Sequence, residues 1–253
     1  MTPAVTTLPL LLRRLMAWCV AACALLLAGC ATTGVAVERD PLEPLNRSMF
    51  AFNEKADALV LKPVATAYRD AVPSLVRTGV HNFFMNLGDA WSAVNSALQL
   101  RPQDTAENFR RFSINSVLGF AGLIDIASEL NIERRRQDFG LTLARWGVPA
   151  GPYLVLPLLG PSTLRDTAAL RVDTLDLIGG LSDAGSRASL RAMRLIDTRS
   201  QLLRAETMLD DVSLDRYIFV RDVYLQRRGV PMREAPEVDE EPQPQPAQSP
   251  AKS

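Results

Sequence analysis

Residues 80–98 read VHNFFMNLGDAWSAVNSAL, and their spacing sets the fold class. Val80, Phe83, Phe84, Leu87, Trp91, Val94 and Leu98 recur at steps of three and four, the repeat that aligns side chains on one face of a helix. The stretch is one helix, or two in succession bent near Gly88. Three further segments carry the same period. Ser162 reads as an N-cap opening a helix in which Leu164, Ala168, Val172 and Leu175 line one side. Arg165, Asp166, Arg171 and Asp173 are expected to stay wet there, and Gly179-Gly180 to end it. Another helix is expected from about Ser186 to Leu209, with Leu195, Leu202 and Leu209 a heptad apart. A last one carries Tyr217, Val220 and Tyr224 on one stripe and closes with Gln226-Arg227-Arg228-Gly229, cations followed by a glycine stop. Strand-like alternation is nearly absent, so the expected fold class is all-α.

Two segments depart from the amphipathic rule. Phe112 to Ile124 holds no charge and contains Gly119 and Gly122; Trp146 to Leu164 is a run of 19 uncharged residues. As a straight helix the second run measures about 28 Å, close to the roughly 30 Å of a bilayer's hydrocarbon. Pro149, Pro152, Pro157 and Pro161, with Gly147, Gly151 and Gly160, would break such a helix several times, and broken backbone is not tolerated against lipid. A single span is therefore excluded. Folded back near its middle, each arm covers about 14 Å at helical rise, the depth of one leaflet. The expectation is a re-entrant or interfacial apolar hairpin; the ordinary alternative is a buried loop.

The N-terminus favours the first of these. Arg13 and Arg14 precede an apolar stretch from Leu15 to Leu27 that ends in Leu27-Ala28-Gly29-Cys30, small residues where a signal peptidase must fit the backbone. The stretch is shorter than the roughly 20 residues of a spanning helix, which favours an export signal over a retained anchor. Leu-Ala-Gly-Cys resembles the lipobox of bacterial lipoproteins, and that resemblance makes Cys30 the acylated first residue after removal of residues 1–29. Several acyl chains then hold the protein at a bilayer, since each buried methylene contributes about 0.8 kcal/mol. Ala31 after the cysteine resembles the outer-membrane sorting pattern. Residues 30–39 read as a lipidated tether, 40–229 as one helical domain, and 230–253 as a disordered tail rich in proline.

Composition narrows the chemistry. The 253 residues hold 28 Lys+Arg against 28 Asp+Glu, three cysteines and one histidine, so no net charge favours nucleic acid. Cys19 and Cys23 fall in the leader, which leaves Cys30 without a disulfide partner and His81 without companions for most metal sites. No Gly-x-Ser-x-Gly elbow and no phosphate loop is present, and His81 reads as a surface or helix-packing residue. Asp125, in an apolar stretch, reads as a helix cap or an arginine partner ahead of a perturbed acid. Arg134-Arg135-Arg136 is either a solvated charge run or a contact for anionic headgroups. A phospholipase has no credible nucleophile and base here.

Several motifs occur in order. They are Asp40-Pro41-Leu42-Glu43-Pro44-Leu45-Asn46-Arg47 with Phe50-Ala51-Phe52-Asn53; Arg111-Phe112 with Asn115 and Gly119; Phe139-Gly140-x-Thr142-Leu143; and Gly151-Pro152-Tyr153-Leu154-Val155-Leu156-Pro157 through Gly160-Pro161-Ser162 to Arg165-Asp166. Over residues 40 to about 229 they closely resemble the MlaA/VacJ lipoproteins. Asp215-Arg216-Tyr217 departs from the family's Asp-Pro-Tyr before the last helix, which puts the local turn in question.

The resemblance implies an outer-membrane lipoprotein that faces the periplasm and removes mislocalised phospholipid from the outer leaflet. It implies an all-helical ring in the membrane plane with an amphipathic passage, a trimeric porin beside it, a soluble periplasmic lipid carrier, no cofactor and no catalysis. A lipoprotein that scaffolds a porin or the cell wall without moving lipid is the other reading. By motif match, Phe50, Phe52 and Asn53 close or stabilise the passage, with Asn115 and Asp125 also assigned to it. The hairpin through Gly147, Gly151, Pro152, Tyr153, Pro157 and Gly160 controls access, with Gly147 and Gly151 as its hinges.

Overall fold

Helix α1 (Glu43–Ala56) starts with Pro44 in its first turn, where a missing N–H costs nothing. It runs through a π-helical turn, Asp57–Leu61, into α2 (Lys62–Ala71). Val72 is extended ahead of Pro73, since proline crowds the helical conformation of its predecessor, and this stops the helix. The chain then forms α3 (Ser74–Leu98), a short turn with Leu100 at φ 57°, and α4 (Pro102–Val117) folded back along α3. After α5 (Ile126–Glu129) an extended segment leads to α6 (Phe139–Arg145). An antiparallel hairpin of β1 (Tyr153–Leu156) and β2 (Gly160–Thr163) follows, paired from Tyr153 opposite Thr163 to Leu156 opposite Gly160. Helices α7 (Leu164–Asp173), α8 (Ala184–Asp210) and α9 (Arg216–Arg227) complete the fold. This computed structural model describes residues 40–210 and 215–230; Cys30, the leader and tether, and the proline-rich tail lie outside them.

The all-α class stands, with one exception that matters. The apolar run turns back as a β-hairpin and not as two helical arms. At about 3.4 Å per residue its four-residue strands reach the 13–14 Å expected of each arm. Tyr153 and Val155 point inward and are buried, while Leu154 and Leu156 are half-buried. Apolar residues on both faces hide that alternation in the sequence.

Local expectations also need correction. Helix α3 runs without a break through Gly88. Ser162 lies in β2, and the N-cap of α7 is Thr163, whose side chain accepts from Asp166 N at 3.2 Å. The chain arrives extended from β2, so the first residue able to cap is the one where pairing ends. Helix α7 stops at Asp173, before Gly179-Gly180, and Arg165 and Asp166 are buried instead of wet. Leu195 and Leu202 of the expected heptad are both about half exposed.

An apolar cluster of Tyr153, Val155, Tyr217, Leu225 and Val230, with Met49, Phe50 and Tyr224 against it, joins the hairpin to α1 and α9. Edge-to-face ring pairs hold it, Phe50 on Tyr217 at 5.6 Å and Tyr153 on Tyr217 and Tyr224 at 6.3 and 6.2 Å. The Asp215-Arg216-Tyr217 departure leaves the last helix capped: Asp215 accepts from Ile218 N at 3.2 Å and pairs with Arg47 at 2.9 Å.

Candidate functional site

The interior of this protein is polar. Among the described residues, ten of the twelve largest fully buried side chains are polar or charged, including Arg111, Asn46, Asn86, Asn95, Asn108, Asn115 and Asp89. Large apolar side chains point out: Leu59, Leu75, Leu100, Val117 and Phe120 are each more than 70% exposed. On α3 the buried face carries Asn86, Asp89, Ser92, Asn95 and Ser96, whereas Val94 and Leu98 of the expected apolar stripe face out. A protein surrounded by water gains by the opposite arrangement, so this one is built for apolar surroundings. Among the described residues no helix is long and apolar enough to cross a membrane.

A buried polar interior is stable only when its groups satisfy one another. Arg111 shows how. Its Nη2 donates to both oxygens of Asp125 at 2.9 and 3.0 Å and to Ser128 Oγ at 3.0 Å; its Nε reaches Asp89 at 3.3 Å and its Nη1 donates to Ile132 O. Arg134 closes the cluster on Asp89 at 2.7 Å, and Asn115 donates to Asp125 at 2.9 Å while accepting from Ala127 N. Asp125 also caps α5. Burial opposes ionisation of its carboxyl. Hydrogen bonds from Ser128 and Asn115 and the Arg111 charge outweigh that, holding it below the ordinary carboxylate range. Asn115 and Asp125 thus sit together at the α4–α5 corner, in the cap and arginine-partner roles. Of the basic run, Arg134 faces inward, Arg135 pairs with Glu107 at 2.8 Å, and Arg136 donates to Met85 Sδ at 3.1 Å.

The second group surrounds the hairpin. Two asparagines a heptad apart on α1 hold the hairpin, Asn46 at the edge of β1 as a neighbouring strand would and Asn53 at its turn. Asn46 Nδ2 donates to Tyr153 O at 3.0 Å and its Oδ1 accepts from Val155 N at 2.9 Å. Asn53 makes a like pair of bonds three residues on, where β1 ends and the turn begins, donating to Leu156 O at 2.9 Å and accepting from Leu158 N at 2.7 Å. Edge groups of a two-stranded sheet otherwise need water or another strand. Phe50 belongs to the apolar cluster, and Phe52 is 52% exposed beside Asn53. Pro152, Tyr153, Pro157 and Gly160 all lie in or next to the hairpin, with Tyr153 fully buried. At its base Gly147 and Gly151 take φ values of +90° and +69°, which residues with a Cβ resist.

Behind the hairpin is a cavity of about 80 Å³. Leu156, Leu159 and Leu170 give it an apolar side; Asp138, Asp166 and Arg228 give it a polar one. Arg228 donates to Asp138 at 2.7 Å and lies 3.4 Å from Asp166, and Tyr224 Oη donates to Asp166 at 2.8 Å. Asp166 is disfavoured as an anion by burial, but Arg165, Arg228 and Tyr224 more than offset this and keep its pKa low. Such a volume holds a handful of waters and no lipid. Admission of anything larger requires the hairpin to move.

Reading the sequence for apolar faces missed most of these residues. Their signal was present in the polar ones: Asn108, Arg111 and Asn115 on α4, and Asn86 and Asp89 on α3, recur at steps of three and four. His81 pairs with the buried Asp197 at 2.9 Å between α3 and α8, as a helix-packing residue does.

Comparison with known proteins agrees with this architecture. The family model described as MlaA lipoprotein matches residues 38–230. The intermembrane phospholipid transport system lipoprotein MlaA of Shigella flexneri is 39% identical over 208 residues, 80% of this chain and 82% of the relative. The protein of the same name from Escherichia coli K12 is 38% identical over the same shares, and that of Haemophilus influenzae 34% over 213 residues. A chain solved under the heading "Structural basis for maintenance of bacterial outer membrane lipid asymmetry" superposes with a TM-score of 0.66 at 40% identity, covering 76% of this chain and 98% of the other. Motifs, inverted interior and extent of similarity agree: the chain belongs to the MlaA lipoprotein family.

Proposed function

We propose that this protein is a lipoprotein component of an intermembrane phospholipid transport system that maintains outer-membrane lipid asymmetry. The single observation that carries the reading is the inverted solvation of the domain, apolar outside and hydrogen-bonded polar inside, with an apolar hairpin folded over an amphipathic cavity. A phospholipid leaving one leaflet must carry a charged headgroup past hydrocarbon. A route with polar groups for the head and apolar surroundings for the tails lowers that cost. In this reading Cys30 is acylated, the domain lies as a ring in the plane of the outer membrane, and outer-leaflet phospholipid enters its central passage. The hairpin from Gly147 to Pro161 controls access from the hinges Gly147 and Gly151. A trimeric porin stands beside the ring and a soluble carrier takes the lipid on the periplasmic side; no bond in the lipid is cut.

The test is outer-leaflet phospholipid content and detergent sensitivity in a strain lacking its own family member. Expression of this chain is expected to restore both. Failure of a properly exported and acylated chain to lower outer-leaflet phospholipid would overturn the proposal, and release of fatty acid from labelled lipid by the purified protein would replace it with an enzyme.

A further inference from the structure

We infer that the cavity behind the hairpin is a headgroup site for a zwitterionic aminophospholipid, with Asp173 taking its primary ammonium and Arg228 its phosphodiester. The inference rests on the transport reading and names the class of lipid it selects. Both residues line the cavity, and each keeps one polar atom free for a ligand. Asp173 Oδ1 accepts from Trp91 Nε1 and from Phe139 N, both at 2.9 Å, while its Oδ2 has no hydrogen bond among the described residues. Arg228 Nη1 donates to both oxygens of Asp138 at 2.7 and 2.6 Å and its Nε lies 3.4 Å from Asp166, which leaves Nη2 without a hydrogen bond among the described residues. Asp173 and Arg228 do not pair with one another. One cavity therefore offers a free acceptor on an anion and a free donor on a cation at separate points of its wall. A headgroup whose ammonium and phosphate are joined by two carbons is complementary to that arrangement.

The charge balance selects among headgroups. Asp138, Asp166 and Asp173 line the cavity against Arg228 alone. Arg228 is spent on Asp138, and Arg165, outside the lining, holds Asp166 at 2.9 Å, so Asp173 is the carboxylate left over. Burial and the neighbouring Asp138 charge raise its pKa, so the folded protein lacks a counter-charge at this point. An ammonium brought by the ligand supplies one. A glycerol headgroup brings none and adds its own negative charge, and a trimethylammonium has no N–H to donate to Oδ2. Size agrees, since an aminoethyl terminus has the bulk of about three waters and fits a space that excludes acyl chains. Leu159 lines the cavity and is 70% exposed, so the mouth lies at the turn of the hairpin with an apolar flank for the tails.

Lipid capture tests the site. The full chain, acylated and held in mild detergent, is incubated with mixed micelles containing equal amounts of phosphatidylethanolamine, phosphatidylglycerol and phosphatidylcholine. It is then repurified and its bound lipid counted by mass spectrometry. Phosphatidylethanolamine is expected to be enriched about tenfold over each of the others, the worth of one charge-assisted hydrogen bond. Asp173→Asn keeps an acceptor for Trp91 and Phe139, so its enrichment should fall toward one while its unfolding temperature is no lower than that of wild type. A misfolded variant does not give that combination. Excess glycerophosphoethanolamine should displace the captured lipid and inorganic phosphate should not; equal displacement by phosphate would show a site that ignores the amine and overturn the inference. Enrichment that survives in Asp173→Asn, or capture of all three lipids in equal proportion by wild type, overturns the headgroup site and leaves transport standing. Wild-type protein that captures no lipid overturns the transport reading and the site together.

Discussion

At the scale of single residues, this fold depends on buried charges satisfied by hydrogen bonds, and these are costly to break singly. Arg111 is the centre, with a side chain 1% exposed that faces two aspartates. Arg111→Met keeps much of its volume and leaves Asp89 and Asp125 short of a counter-charge. Stability measured by thermal unfolding in detergent is expected to fall by about 3–5 kcal/mol. A loss below about 1 kcal/mol would mean that water already reaches the cluster. Asp173 behaves in the opposite sense to Asp125 and Asp166. Burial dominates and the Asp138 charge adds to it, while donors from Phe139 N and Trp91 Nε1 only partly compensate, so its pKa is raised above the ordinary 3.8. The folded protein thus binds this proton more tightly than the unfolded chain does. Stability is lost as pH rises from about 3.8 through the higher folded value. Asp173→Asn retains an acceptor for both donors and removes the charge. Unfolding temperatures of variant and wild type should coincide below that range and diverge in the variant's favour above it; the reverse order would show that the Asp173 charge is stabilising. Asp125 was legible as a helix cap or arginine partner, whereas the buried roles of Arg111, Asp89 and Asp173 were not, because the reading looked for charge to be wet and here charged side chains are buried among one another.

At the scale of elements, helices were legible and the hairpin only half so. Periodicity located α3, α8 and α9 because 3.6-residue repetition survives even when the polar side is the buried one. The prolines and glycines of residues 147–161 correctly excluded a span and required a reversal. They could not show that the reversal is a β-hairpin, since its edge partner is a pair of asparagine side chains on α1, over 100 residues away in sequence. Ser162 was misread as a cap for a related reason: a strand leading directly into α7 shifts the cap to Thr163. The base of the hairpin carries its own prediction. Gly151 has φ +69°, and a Cβ there would meet Leu164 Cβ at 3.0 Å. Proline, held near φ −65°, cannot adopt that conformation. Gly151→Pro is expected to raise outer-leaflet phospholipid and detergent sensitivity in a strain relying on this chain while the protein remains present in the outer membrane. Unchanged phenotypes would remove Gly151 from the hinge.

At the scale of the whole molecule, the arrangement of polar and apolar surface separates a lipid-bathed domain from a soluble one that merely carries an acyl tether. Leu75, Leu100, Val117, Phe120 and Leu158 lie on different elements, yet all face outward, so the apolar exterior is a property of the assembled fold and not of one helix. In water such a surface raises free energy by about 25 cal/mol for each Å² left exposed, enough to drive aggregation or membrane binding without a lipid anchor. Cys30→Ser removes the proposed acylation site and leaves this surface intact. The variant, purified in mild detergent and diluted into phospholipid vesicles, should float with them on a density gradient. Adding Phe120→Asp and Leu100→Glu should reduce flotation, since a charge placed in hydrocarbon costs about 2.5–3.5 kcal/mol at its centre and less toward the interface. Because both side chains point outward, the unfolding temperature in detergent should stay within a few degrees of the parent's. If Cys30→Ser instead remains monomeric in detergent-free buffer and ignores vesicles, the outward leucines do not engage lipid, and membrane association would rest on the proposed acyl anchor alone.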